Sequence, residues 1–404
     1  MASVRPLVLE LIRHTSCGLP EDVLDELARA RDREEPGSRA YSTFERMIQN
    51  VEAAREASAP ICQDTGTLIF YVDYGPDFSP HEIERDIVGA VRAATKKAYL
   101  RPNAVDAITG ENSGDNVGVG SPYIHFHPRR AKGLRIRLMM KGGGCENVGA
   151  QYSLPDESIG AGRDLDGVRR CIIDAVQKAQ GYGCAPGTVG VGVGGDRVTS
   201  YMESKEQLFR PLHDRNPNPT IAALEEELTE SLQGLGIGPM GFGGKTTILG
   251  VKIGARHRVP ASFFVSVSYM CWAYRKGELE IKGDKVYLSG RRMVPATPKR
   301  APSRVAAKAA TRTAKTVKAA KTTAKAAAKS AAKTAKTAKT AAKAAVKSAT
   351  KTAKTKASSK VAKTKTAAKV AKKSAAKTTV NTKLKAPKIP SRQASRRKSP
   401  LKVL

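Results

Sequence analysis

Aromatic residues are scarce in this chain: they make up 5% of its 404 residues, with a single Trp. From Arg291 to the end there are none, and no Asp or Glu either. A stretch without aromatics or acids, and with few large apolar side chains, cannot bury enough surface to offset the entropy of ordering it. That excludes a second packed domain there. The sequence also lacks an apolar run long enough to cross a membrane, and Met1-Ala-Ser-Val-Arg-Pro leads straight into a helical pattern rather than a signal-peptide core. The six cysteines (Cys17, Cys62, Cys145, Cys171, Cys184 and Cys271) include no Cys-x-x-Cys pair. That spacing argues against the usual zinc arrangements, and the wide scatter argues against a disulfide scaffold. A cytoplasmic, reducing setting is expected, where such thiols more often serve metal binding or catalysis.

The charge is uneven. The formal net charge is +33, yet 35 Lys and Arg lie from Arg291 onward with no acid among them, leaving 35 basic and 37 acidic residues in 1–290. The expectation is therefore a near-neutral body, residues 1–290, long enough for a substantial core, followed by a disordered basic tail, residues 291–404.

In the body, helical and strand patterns interleave. Val4 to about Arg33 and Phe44 to Ala57 read as helices. Glu82 to Tyr99 places Ile83, Ile87, Val91 and Ala94 on one face, and Asp166 to Gln180 does the same with Val168, Cys171, Ile172, Ala175 and Val176. Cys171 thus reads as a core residue. Thr220 to Leu232 reads as a surface helix. Strands are expected at Thr67–Val72, Leu134–Met140, the Val/Gly run before Gly194, Ile248–Ile253 and within Ala261–Ala273. Interleaving of this kind predicts a mixed α/β body.

The stretch with the most chemistry is Pro60-Ile61-Cys62-Gln63-Asp64-Thr65-Gly66. Bounded by Pro and Gly, it reads as a turn carrying a thiol, an amide and a carboxylate just ahead of a strand. On its own it fits either a metal-and-substrate site or a buried Cys beside an Asx turn. Cys184 and Cys271 also sit where strand meets turn. Three single thiols on separate loops suit an iron–sulfur cluster with one iron free of protein, a Lewis acid towards a hydroxyl or carboxylate. Two glycine patterns invite nucleotide readings. Gly190-x-Gly192-x-x-Gly195 lacks the helix and ribose-binding acid that would support it, and Gly243-Gly244-Lys245-Thr246 has Pro239 where a phosphate loop needs Gly. Glycine in such runs also allows close backbone approach to a bound group.

Taken together, Ile61-Cys-Gln-Asp-Thr-Gly66, Leu100-Arg-Pro-Asn-Ala-Val105, Lys141-Gly-Gly-Gly-Cys-Glu-Asn147, Gly183-Cys-Ala-Pro186, Gly238-Pro-Met-Gly-Phe-Gly-Gly244 and Cys271-Trp-Ala-Tyr-Arg275 resemble, in order, the alpha part of class I, iron–sulfur-dependent fumarate hydratases and the related L(+)-tartrate dehydratases. The resemblance spans roughly residues 5–290. It implies a [4Fe-4S] cluster on Cys62, Cys184 and Cys271, with Gln63 and Asp64 beside a C4 dicarboxylate and Arg101 as a carboxylate clamp. It also implies close approach of the Gly142–Gly144 backbone to substrate, with Cys145 near the site but not a ligand. Members place a substrate-contacting His twelve residues before the last ligand; here that position is Val259, so His257 is the candidate. The base would come from a beta subunit that this chain does not contain.

After about Val305 the sequence repeats Ala-Ala-Lys and Lys-Thr-Ala-Lys units, resembling linker-histone tails. Evenly spaced cations of this kind predict sequence-blind, salt-sensitive binding to nucleic acid or another polyanion, without base stacking.

Overall fold

Three helices open the chain: α1 (Arg5–Ser16), α2 (Glu21–Arg33) and α3 (Arg39–Ala57). They belong to a computed structural model that describes residues 3–293. There follow β1 (Thr67–Tyr74), α4 (Pro80–Lys96), β2 (Tyr123–Pro128), β3 (Leu134–Lys141), the short α5 (Gly143–Asn147), β4 (Ala150–Ser153) and α6 (Leu165–Ala179). The remainder is β5 (Gly187–Gly194), α7 (Arg197–Gln207), α8 (Pro219–Ser231), β6 (Ile248–Arg256), β7 (Phe264–Met270), β8 (Lys276–Lys282), β9 (Lys285–Leu288) and β10 (Arg291–Met293). The mixed α/β expectation holds. Two sheets carry the fold, one in the order β10-β9-β8-β3-β1-β2 and the other β4-β7-β5-β6.

Each sheet buries a face for reasons visible in its residues. On β1, Leu68, Phe70 and Val72 alternate onto the face covered by α1 and α4, where Leu11, Ile12, Ile87 and Val91 are fully buried; the period of two on the strand meets the helical period on its cover. α6 begins where the Asp164 carboxylate caps the Gly167 amide at 2.7 Å, an N-terminal signal. Its Cys171 is buried with Val168 and Ile172, as the apolar stripe predicts. α7 was not expected from the sequence. It starts from a reciprocal cap between Asp196 and Thr199.

The glycines before α7 have a packing role. A Cβ at Gly190 would lie 2.2 Å from the Ser204 carbonyl oxygen, and one at Gly192 would lie 2.0 Å from that of Ser200. The pattern Gly190-x-Gly192 therefore lets α7 rest on bare strand backbone. The other glycine run is also spoken for: the Glu34 carboxylate accepts from the amides of Lys245 (2.9 Å) and Thr246 (3.0 Å). The place a phosphate would take in that loop is filled by the chain's own buried acid.

Register decides where the loops meet. β1 and β3 are antiparallel with Thr67 opposite Lys141, so the start of β1 adjoins the end of β3. In the second sheet Thr188 pairs with Met270, so the start of β5 adjoins the end of β7. β7 then runs through Cys271–Arg275 into β8, whose Lys276 pairs with Met139 of β3. All these ends lie along one seam between the sheets. At the other extreme, β9 and β10 extend the larger sheet, and the strand Arg291–Met293 lies beyond the change in composition. The expectation of a disordered tail concerns residues that, from 294 on, fall outside the described range. Among the described residues no helix is long and apolar enough to cross a membrane.

Candidate active site at the seam

Asp64 is the hub. Its Oδ1 accepts from the Gly66 amide (2.9 Å) and from Asn103 Nδ2 (3.2 Å), and its Oδ2 accepts from the Gly143 amide (2.6 Å). Its backbone carbonyl accepts from Arg275 Nη1 at 2.8 Å. The turn closes on Gly66, which has φ 83° and lies so near Lys141 that a Cβ would meet its carbonyl carbon at 2.7 Å. Only glycine combines that dihedral with that proximity. Asp64, Asn103 and Gly143 all line an open cleft of about 1010 Å³.

The three cysteines expected to act together arrive on separate loops: Cys62 shortly before β1, Cys184 shortly before β5 and Cys271 directly after β7. The Trp272 amide donates to the Cys184 carbonyl at 3.2 Å, tying two of those loops. Burial pushes the Cys184 thiol up, and so do Cys62, Cys145 and Asp64, which face it. Cys145 Sγ donates to the Gly142 carbonyl at 3.1 Å, and Cys271 Sγ to the Ala273 carbonyl at 3.7 Å. The neighbouring Cys271, with Lys141 assisting, draws Cys145 down to about 6, while Cys145 beside it and burial push Cys271 up. Cys145, read from the sequence as a neighbour of the site, is in contact with it.

These thiols can be tested against the group the sequence implies. Among the described residues no three His, Cys, Asp or Glu side chains converge on a single-ion position. A lone tetrahedral ion, with sulfur at about 2.3 Å, would need such convergence, whereas a four-iron cube takes each thiolate at its own corner. Arg275 adds a second observation. It is 1% exposed, makes no ion pair with a described acid, and leaves Nε without a partner. A buried cation beside Cys145 and Cys271 favours anionic sulfur. The residues present fit a cluster.

The other expected residues divide. Gln63 and Gly144 are exposed beside the hub. Arg101 is exposed as well, and its guanidinium pairs with no described acid. Its loop is held by Asn116, which is 5% exposed. Asn116 Oδ1 accepts from the amides of Asn103 (2.7 Å) and Ala104 (3.1 Å), and its Nδ2 donates to the Arg101 carbonyl (2.8 Å) and Thr95 Oγ1 (2.9 Å). His257 lies apart from these residues in this chain. Gly194 pairs with Arg256, so His257 follows the far ends of β5 and β6. Seven or eight strand residues, about 20–25 Å, separate it from Cys184 and Cys271. The exposed His257 gives its carbonyl to the Gly195 amide at 3.2 Å and does not join the site within this chain.

Sequence reasoning passed over Asn103, Asn116, Arg275 and the ion network under α5. In that network the fully buried Lys141 donates to the Cys145 carbonyl (3.0 Å) and pairs with Glu146, which also pairs with Lys205 of α7. Burial would raise the Glu146 carboxyl, but Lys141 and Lys205 hold it below its ordinary value. Asn103, Lys141, Glu146 and Arg275 stood within the quoted motifs without any sign of their contacts; nothing in the sequence marked Asn116.

Comparison with known proteins follows the same lines. The profile of a family described as fumarate hydratase (fumerase) matches residues 6–280. A Geobacillus stearothermophilus protein, assigned by inference as fumarate hydratase class I, is 50% identical over 270 residues, 66% of this chain and 52% of that protein. The chain thus spans about half the length of that relative. The L(+)-tartrate dehydratase subunit alpha of Escherichia coli K12 is 34% identical over 276 residues, 67% of this chain and 88% of that subunit. A Methanocaldococcus jannaschii protein, assigned by inference to the same subunit, is 34% identical over 287 residues, 70% of this chain and 98% of its own length.

Proposed function

The chain belongs to the fumarate hydratase (fumerase) family, and from that membership we propose that it is the alpha-type part of an iron–sulfur hydro-lyase. It hydrates fumarate reversibly to malate, and a second polypeptide, a beta subunit, completes its site. The observation that carries this reading is the meeting of the Cys62, Cys184 and Cys271 loops beside Asp64 at one seam. Cys62, Cys184 and Cys271 would hold a [4Fe-4S] cluster. When bound, the cluster supplies an iron without a protein ligand as a Lewis acid towards the substrate hydroxyl.

The chain's own residues bind and orient. Asp64, fixed by two backbone amides and Asn103, offers a preorganised acceptor for a hydroxyl or water proton at the cleft wall. Gln63 stands next to it with the oxygen and nitrogen of its side-chain amide free for substrate. Arg101, on a loop pinned by Asn116, presents a fork suited to one carboxylate of a C4 dicarboxylate. The Gly143 and Gly144 backbone lets that substrate approach closely. The Arg275 guanidinium keeps the wall beside Cys271 electropositive without occupying the cleft.

A second reading is L(+)-tartrate dehydration to oxaloacetate. It is favoured by the Gly-Gly-Gly-Cys145 sequence and by relatives of that name whose length this chain nearly covers. Anaerobic reconstitution, iron and sulfide analysis, and turnover of malate against tartrate with the second polypeptide present test both. Near four irons per chain with malate turnover upholds the first reading. Tartrate turnover alone replaces it with the second, and an iron-free, inactive protein sinks both. We read the basic residues after 293 as a sequence-blind contact for nucleic acid or another polyanion, in a cytoplasmic enzyme. Removing 294–404 should abolish salt-sensitive DNA retention and leave turnover unchanged; retention that survives removal would discard this contact.

A further inference from the structure

A second cleft opens away from Asp64. Its volume is about 560 Å³, and it shares no lining residue with the first. Basic side chains from three elements distant in sequence converge on it: Arg13 and His14 in the last turn of α1, Arg55 in the last turn of α3, and Arg291 at the start of β10. A cation at each helix end is ordinary, because the terminal carbonyls favour it. That preference does not bring two helix ends together, nor add a guanidinium from a strand. The crowding is felt at His14. Burial and the charges of Arg13, Arg55 and Arg291 hold its imidazole below its ordinary value, against the pull of Glu10.

The acids nearby are already engaged. Glu10 pairs with Arg13, Glu21 pairs with Arg291, and the Asp22 carboxylate accepts from the Leu212 amide at 2.8 Å. Arg13 is fixed further by Ser58 Oγ at 3.1 Å. Arg55 differs. It pairs with no described acid, and its guanidinium makes one hydrogen bond, from Nη2 to the Leu19 carbonyl at 3.3 Å. Gly18 puts no side chain over the rest of the fork; a Cβ there would lie 3.5 Å from Arg55 Nε. Of the basic groups that meet here, Arg55 and His14 thus lack an anionic partner among the described residues.

We propose that this cleft binds a phosphate group, held by the Arg55 fork with His14 and Arg291 beside it. A guanidinium matches phosphate in shape and charge. A phosphate group carries about −1.5 to −2 at pH 7, more than a carboxylate, and so draws a proton onto His14 as well as pairing with Arg55. The position also gives the ligand a route to the Cys62 loop. The Ile61 amide donates to the carbonyl of Ser16, the last residue of α1, at 3.1 Å, and Asn50 Nδ2 of α3 donates to the Ile61 carbonyl at 2.9 Å. A phosphate bridging the ends of α1 and α3 braces both helices that hold the residue before Cys62. The inference does not depend on the hydro-lyase reading.

The test uses the full chain and inorganic phosphate, with acetate at matched ionic strength as the carboxylate comparison. The basic residues after 293 attract phosphate as well, so the readouts are local to the cleft. Phosphate should raise the His14 pKa, followed by NMR, in a saturable way, because an anion there offsets the repulsion from Arg13, Arg55 and Arg291. Arg55→Ala and Arg291→Ala should each raise the phosphate concentration required about tenfold. Arg55→Lys, which keeps the charge and loses the fork, should fall between, and Arg92→Ala on α4 should match wild type. Circular dichroism melting shows that each variant is folded. Hydrogen exchange at the Ile61 amide should slow with phosphate in wild type and not in Arg55→Ala. A His14 titration that phosphate leaves in place, or shifts equally in every variant, overturns the site. A stronger response to acetate overturns the ligand class, and binding with unchanged exchange at Ile61 overturns the link to the Cys62 loop.

Discussion

Two glycine-rich loops in this protein do the same thing with opposite consequences. In each, backbone amides capture a carboxylate of the chain itself: Lys245 and Thr246 hold Glu34, and Gly66 and Gly143 hold Asp64. Glu34 is 5% exposed and its bonds are used up inside the fold. Asp64 stands at the wall of an open cleft, with the Cys184 thiol facing it from another loop. The amide cradle is thus a general means of fixing an acid. It becomes a candidate site only where the acid, once fixed, still faces solvent and further reactive groups.

The sharpest way to test that contrast is to remove the thiols. Cys62→Ser, Cys184→Ser or Cys271→Ser should each abolish cluster absorbance after anaerobic reconstitution, whereas Cys171→Ser, in the core of α6, should keep it. Retained absorbance in all three would detach the seam from any cluster. Next come the two acids. Asp64→Asn should lower turnover about a hundredfold or more with little change in melting temperature. Glu34→Gln should do the reverse, costing about 1–3 kcal/mol of stability in denaturant titration with turnover per folded molecule intact. If the two variants behaved alike, the distinction between a closed and an open cradle would fail.

A smaller effect is expected at the loop that faces Asp64. Arg101→Ala should raise KM for the dicarboxylate about tenfold, the cost of one charge-assisted contact. Asn116→Ala should do likewise through displacement of the same loop, and unchanged KM values would remove Arg101 from the site. The smallest is a pH effect. Glu146 is held below its ordinary value in the folded protein, so the unfolded chain takes up its proton first as pH falls. Its contribution to stability is whole above about pH 4.5 and is lost as pH drops through the folded value. Glu146→Gln should flatten that limb of the stability–pH curve; an unaltered limb would mean that Lys141 and Lys205 do not control the group.

What could be read beforehand follows physical lines. The Cys62, Cys184 and Cys271 loops were legible because Pro and Gly punctuate them and apolar runs flank them. The helices α4 and α6 were legible from their stripes. β2 was missed because its pattern is weak and it follows a long polar loop. Asn116 and Arg275 were missed because their partners are supplied by folding: Arg275 reaches Asp64 across 211 positions of sequence. His257 lies apart from the other expected residues for a related reason. Counting residues back from Cys271 takes no account of strand direction, and β7 runs the whole height of its sheet between the two.

The bare backbone of β5 reaches further than its own strand. Because only hydrogen fits at Gly190 and Gly192, the height of α7 above the sheet is set to within a fraction of an ångström. Lys205 sits on that helix, and its reach to Glu146, and through Glu146 to Lys141 beneath Cys145, is set at the same time. The two glycines act as a spacer gauge. A single methyl group added between strand and helix would lift the helix and change the electrostatic setting of a thiol that it never touches.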